Sequence, residues 1–174
     1  MGKKTRSITL SAMLSALAVV TLFIASVWPT GLYGLVAFSS LFVAAAVIEM
    51  GVVQGICVYI TASLLGILLL PNKSAPLLFA LFFGYYPIIK SIIERIGFKM
   101  LQWFLKLAVF NVSLTIIWFS FRAALLSFRG EVPQVLIIFL LGSLVFLVFD
   151  FGYSKLIRFY TERVSIHNKK ERQL

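Results

Sequence analysis

Apolar and polar positions in this chain alternate in long blocks. Runs of about twenty apolar residues are separated by short clusters carrying Pro, Gly, Asn or charge. A helix needs roughly 20 apolar residues to cross the hydrocarbon core of a bilayer, so each block is the length of one span. The first runs from about Ser7 to Trp28 and ends at Pro29-Thr30-Gly31, with a short uncharged loop, Pro29 to Gly34, that carries Tyr33. The second runs from Leu35 to Ile48 and closes on Glu49-Met50-Gly51. The third, Val52 to Leu70, meets the turn Pro71-Asn72-Lys73-Ser74. The fourth, Ala75 to Ile93, contains Pro87, and a proline inside a helix removes a backbone donor and predicts a kink. After a charged connection, Lys90 to Lys99, the fifth runs from Met100 to Leu126, and the sixth from Gln134 to Ile157. The pattern predicts an all-α integral membrane protein of six transmembrane helices. Residues 1–160 form one membrane domain and 161–174 a basic tail.

Composition agrees with the pattern. Hydrophobic residues make up 61% of the chain, against about 45–50% in a soluble domain, and the mean hydropathy is +1.02. The first run is longer than the roughly 7–15 residues of a signal-peptide core, and no A-x-A site follows it, so it is expected to be retained.

Charge adds orientation. The net charge is +10, which on a soluble chain would suggest nucleic acid. Here the basic residues flank the spans, and bilayer contact explains them without any nucleic acid. With the N-terminus inside, twelve Lys and Arg fall on the inner side (Lys3, Lys4, Arg6, Lys90, Arg95, Lys99, Lys155, Arg158, Arg163, Lys169, Lys170, Arg172). Only Lys73, Arg122 and Arg129 fall outside, and Lys106 lies within a span. The positive-inside rule then predicts that both termini are cytoplasmic, as six spans require.

The chemistry available is limited. One histidine, His167, stands in the tail; one cysteine, Cys57, lies inside an apolar run; and Asp150 is the only aspartate. No catalytic residue, metal site or cofactor is expected, since a Ser-His triad, a His-based metal site and an aspartate dyad lack their parts. No phosphate-binding loop is present, so the chain by itself hydrolyses no ATP.

Polar groups inside a span are costly and need a reason. In span five Asn111, Thr115, Trp118 and Arg122 recur at i, i+4, i+7 and i+11, one helical face. They form a stripe that either lines a pocket open to the outer side or bonds a neighbouring helix and anchors at the interface. Tyr33 in the first outer loop and one of Tyr85 and Tyr86 before Pro87, with Tyr86 preferred, are further candidates to contact a ligand, the alternatives being belt aromatics and satisfaction of backbone groups freed by the proline. Asn72 lies in the second outer loop. Lys106 and Asp150 fall at similar depth, roughly 8–10 Å from the inner surface at 1.5 Å per residue, which suggests an ion pair. Glu49 and Lys90 stand at the inner ends of spans two and four and read as interfacial. Ala12 and Ala16 give span one a small-xxx-small face on which another helix can pack closely, and Gly51-x-x-x-Gly55 and Ala62-x-x-x-Gly66 offer the same in span three.

These features resemble a known family, the substrate-binding S components of bacterial energy-coupling factor (ECF) transporters. The resemblance rests on the length, the six spans, both termini inside, and the opening Ser7-Ile8-Thr9-Leu10-Ser11-Ala12-Met13-Leu14-Ser15-Ala16-Leu17-Ala18. It implies that Ala12 and Ala16 dock against a coupling transmembrane subunit and that two cytoplasmic ATPases supply the energy. It also implies that a vitamin or similar micronutrient binds from the outer side, near Tyr33 and the Asn111 stripe, in a multi-pass protein of the bacterial cytoplasmic membrane. Two other classes remain open on the residues alone. One is a small scaffold protein of a bacterial envelope or cell-shape complex; the other is a stand-alone proton-coupled carrier centred on Asp150.

Overall fold

A computed structural model describes residues 3–124 and 132–171. Among the described residues the backbone is helical, with no strand. Six stretches are long and apolar enough to cross a membrane: Thr5–Val27, Leu32–Met50, Val52–Leu69, Ser74–Ile93, Lys99–Ile117 and Phe139–Thr161. The six spans expected from the block pattern are therefore present as helices.

The chain divides into two compact units, Met1–Ser120 and Phe121–Leu174. In the first, α1 (Lys3–Val27) packs against α2 (Leu32–Met50) and α3 (Val52–Leu69). Its inward edge is Leu14, Ala18, Leu22 and Ala25, all buried, at the three- and four-residue steps of one helical face. The serines and threonines of these helices turn back on their own backbones. Ser15 donates to the Ser11 carbonyl at 2.9 Å, Thr21 to Leu17 at 2.9 Å, Ser39 to Val36 at 2.7 Å and Ser40 to Ala37 at 2.6 Å. In an apolar solvent such bonds meet a hydroxyl's need without a partner helix.

The connections follow from the breakers. A single 3-10 turn, Pro29–Gly31, joins α1 to α2. The loop expected to reach Gly34 is shorter, and α2 begins at Leu32, because Gly34 and Tyr33 are tolerated in a first helical turn. Gly51 alone connects α2 to α3, with φ 99° and ψ 174°, a region essentially closed to residues with a Cβ. One helix–helix approach also depends on glycine: a Cβ on Gly55 would overlap Val47 Cγ2 of α2. At the end of α3, Lys73 Nζ donates to the carbonyls of Ile67 (2.6 Å) and Leu70 (2.7 Å), which meets acceptors that the last helical turn leaves open. Asn72 Oδ1 accepts from the Ser74 amide at 3.0 Å, so this side chain closes the turn.

The fourth span has three parts: α4 (Ser74–Leu78), a π-helical segment (Phe79–Phe83) and α5 (Tyr86–Ile93). The helix α6 (Lys99–Ala124) follows and runs past the end of the first unit.

The second unit contains most of its residues in α7 (Val132–Glu171). The helix continues beyond Thr161, where the polar tail was expected to begin. Phe146, Asp150 and Tyr153 are buried and share one face at i, i+4 and i+7. Ser154 Oγ donates to the Asp150 carbonyl at 2.7 Å, and the rings of Phe149 and Tyr153 lie 5.3 Å apart.

Candidate functional site: the broken fourth span

Pro87 starts the local argument. It has no N–H for the carbonyl of Phe83, and its ring would collide with that carbonyl in a continuous α-helix. The chain resolves this one turn earlier than the proline itself. The Gly84 amide bonds to the Phe79 carbonyl, five residues back, at 2.7 Å. A fresh helix then starts at Tyr86 with Pro87 in its first turn, where a missing donor costs nothing. The kink expected at Pro87 is thus a π-type insertion followed by a helix restart.

The insertion leaves backbone groups to be met from outside the helix. Tyr59 of α3 donates its hydroxyl proton to the Ala80 carbonyl at 2.8 Å. Tyr85, in the two-residue break, shares a short hydrogen bond with Ser113 of α6, and Ser113 in turn donates to the Val109 carbonyl at 2.6 Å. Gly84 is required by crowding, because a Cβ there would stand 2.6 Å from Tyr59 Cδ2, 2.8 Å from Phe79 Cε1 and 2.9 Å from the Phe79 carbonyl oxygen. Aromatic rings close round the break. Tyr59 lies 6.2 Å from Phe79 and 6.3 Å from Tyr85, while Phe82 lies 5.3 Å from Tyr86 and 5.5 Å from Phe110. Edge and tilted contacts at these separations are the favourable arrangements for aromatic pairs.

Further along α5 the side chains become charged. Lys90 is 2% exposed and Lys106 is 7% exposed. Both reach the same carboxylate: Lys106 Nζ lies 2.8 Å from Glu94 Oε1 and Lys90 Nζ 3.4 Å from it. Lys90 also lies 5.8 Å from the centre of the Tyr86 ring. Lys90, expected at the inner end of span four, has its side chain covered by protein. A lysine at the end of a span extends to water when nothing nearer holds it, and here Glu94 and the Tyr86 ring do. Lys106 belongs to the first unit and Asp150 to the second; within its own unit Lys106 bonds to Glu94.

The ligand candidates from the sequence are dispersed. Tyr33 is 68% exposed in the first turn of α2. Tyr86 is buried in the ring cluster. Asn111 and Thr115 are half-buried, and both bond to their own helix: Asn111 Nδ2 donates to the Leu107 carbonyl at 2.9 Å and Thr115 to the Asn111 carbonyl at 2.8 Å. At 3.6 residues per turn they stand roughly opposite Lys106 and Ser113 around α6, the two residues that bond to Glu94 and Tyr85. The side chains of Trp118 and Arg122 lie outside the described residues. Ala12 and Ala16 are exposed on α1, across the helix from Leu14 and Ala18. Among the described residues no cluster of His, Cys, Asp and Glu could hold a metal ion.

Tyr59, Ser113 and Glu94 were not singled out from the sequence. Their partners lie 21, 28 and 12 positions away, and only Pro87 beside the Gly84-Tyr85-Tyr86 run signalled that outside donors would be needed. No protein family, curated protein or solved structure matches the chain.

Proposed function

We propose that this chain is a non-catalytic substrate-binding subunit of the S-component type, in a bacterial cytoplasmic membrane with both termini inside. It takes up a vitamin or similar micronutrient, with a coupling transmembrane subunit and two cytoplasmic ATPases as its source of energy. The observation that carries the reading is the break in the fourth span. Irregular backbone at membrane depth is tolerated only where protein or a cavity covers it, and in small-molecule transporters such discontinuous helices build the substrate site. Here the break gathers two tyrosine hydroxyls, a serine and a shell of rings in an otherwise apolar helix bundle. The exposed Ala12/Ala16 face of α1 supports the partner, because its neighbours on the opposite side are already buried against α2 and α3.

The test is native mass spectrometry of the protein purified from its own host, alone and as Ala12→Trp. Wild type is expected to carry a small organic molecule and to co-purify with a membrane partner and ATPases, and Ala12→Trp is expected to keep the molecule and lose the partner. Empty protein accompanied by envelope-assembly machinery overturns the reading in favour of a scaffold.

A further inference from the structure

We infer that the turn between α5 and α6 binds the headgroup of an anionic phospholipid, held by Arg95 and Lys99 with Trp103 beside them. The inference needs only that these helices cross a membrane, and it stands apart from the substrate-binding reading. The turn joins two spans, Ser74–Ile93 and Lys99–Ile117, so it falls at one membrane boundary, where lipid headgroups lie. Arg95 and Lys99 are both exposed. Among the described residues neither side chain makes a hydrogen bond or an ion pair. Other lysines are engaged: Lys73 with two carbonyls, Lys90 and Lys106 with Glu94, and Lys155 at 4.7 Å from the centre of the Phe151 ring.

The acid nearest in the chain is committed elsewhere. Glu94 is the only acidic residue between Glu49 and Glu131, and its Oε1 takes Lys106 at 2.8 Å and Lys90 at 3.4 Å. The turn itself is fastened. The Arg95 amide bonds to the Ile92 carbonyl at 3.2 Å and the Ile96 amide to the Ile93 carbonyl at 3.0 Å. From α6, Gln102 Nε2 donates to the Ile96 carbonyl at 2.5 Å, and Lys106 holds the Glu94 carboxylate. These two ties grip the residues on either side of Arg95, so its backbone is fixed beside the start of α6, where Lys99 stands. A site whose backbone is already ordered pays less to bind.

The surroundings specify the anion. Trp103 follows Lys99 by four residues, on the same face of α6, and is 47% exposed. Its indole N–H makes no hydrogen bond among the described residues. Phe98 and Met100 flank Lys99 and are 77% and 89% exposed. A tryptophan at a membrane boundary sets its ring among the acyl chains and its N–H in the polar layer. A soluble anion would neutralise the cations and leave these apolar side chains bare. A phospholipid meets both needs, with its phosphate on Arg95 and Lys99 and its chains over the exposed apolar groups. A zwitterionic headgroup would bring an ammonium up to two cations that lack a counter-ion, so the headgroup is one of net negative charge, of the phosphatidylglycerol type.

The experiment titrates delipidated protein in detergent with phosphatidylglycerol or with phosphatidylcholine of the same chains, and counts bound lipid by native mass spectrometry. Wild type should bind its first phosphatidylglycerol at least ~10-fold more tightly than its first phosphatidylcholine. Arg95→Gln with Lys99→Gln should weaken phosphatidylglycerol about 25-fold, each cation near an anionic headgroup being worth about 5-fold, and leave phosphatidylcholine unchanged. Arg6→Gln with Arg158→Gln removes the same charge from two other exposed arginines and should change the first phosphatidylglycerol by less than about 2-fold. Free glycerol phosphate at the lipid's concentration should displace nothing. Should the Arg95/Lys99 variant fold poorly, Trp28→Phe with Trp118→Phe leaves Trp103 as the sole tryptophan. Chain-brominated phosphatidylglycerol should then quench its fluorescence at a lower mole fraction than brominated phosphatidylcholine. Equal loss in both paired variants, loss in neither, displacement by glycerol phosphate, or equal quenching by the two lipids overturns the site and leaves the substrate-binding reading untouched.

Discussion

Replacing Gly84 with alanine tests the geometry of the break directly. The new Cβ would lie 2.6 Å from Tyr59 Cδ2, 2.8 Å from Phe79 Cε1 and 2.9 Å from the Phe79 carbonyl oxygen, where carbon contacts are comfortable at about 3.5–4.0 Å. None of the three can yield cheaply. The Tyr59 ring is held by its bond to Ala80, and the Phe79 oxygen is backbone and accepts from Gly84 itself. Overpacking of this kind costs about 1–3 kcal/mol, and displacing the Gly84–Phe79 bond adds about 1 kcal/mol. Gly84→Ala should therefore destabilise by about 2–4 kcal/mol in total. Unfolding in mixed micelles, titrated with SDS and followed by intrinsic fluorescence, reads this against Gly97→Ala. Nothing stands within 4 Å of a Cβ on Gly97, so that variant should stay within about 0.5 kcal/mol of wild type. The cost should also shrink in a Tyr59→Ala background, since the nearest clash is then gone. A Gly84→Ala cost below about 0.5 kcal/mol, or a cost independent of Tyr59, would refute the packing described for the fourth span.

Other perturbations follow from the same contacts. Gly51→Ala forces a Cβ into a backbone region reserved for glycine and should cost about 1–3 kcal/mol in the same unfolding assay, although space around it is open. Glu94→Gln removes the carboxylate shared by Lys90 and Lys106; with Glu94 itself 42% exposed, the loss should be about 1–2 kcal/mol, while Arg95→Gln next to it, also exposed, should be neutral. Lys73→Ala uncaps the Ile67 and Leu70 carbonyls and should lower stability by less than about 1 kcal/mol, because the site is exposed. Ala16→Trp should leave Tm unchanged, since Ala16 is exposed, and abolish recovery of a membrane partner in a pull-down; full recovery would remove α1 as the docking face.

The chain's own sequence determined that it is helical and where its helices stop. Block length against bilayer thickness set six spans, and Gly51, Pro71 and Pro87 marked real interruptions because each restricts the backbone locally, whatever surrounds it. What the sequence could not decide is which side of each helix meets protein. In water the buried face is the apolar one, and periodicity reveals it. In a membrane the lipid-facing side is just as apolar, so hydropathy is silent about packing. For that reason Lys90 read as interfacial although it is buried, and the Asn111 stripe drew attention although Ser113, on the other side of α6, is the residue bonded to Tyr85. Tertiary structure alone decided that Tyr59 reaches Ala80, that Lys106 reaches Glu94, and that Tyr85 reaches Ser113. Each of these depends on bringing separate helices within hydrogen-bond range, and no local pattern encodes that distance.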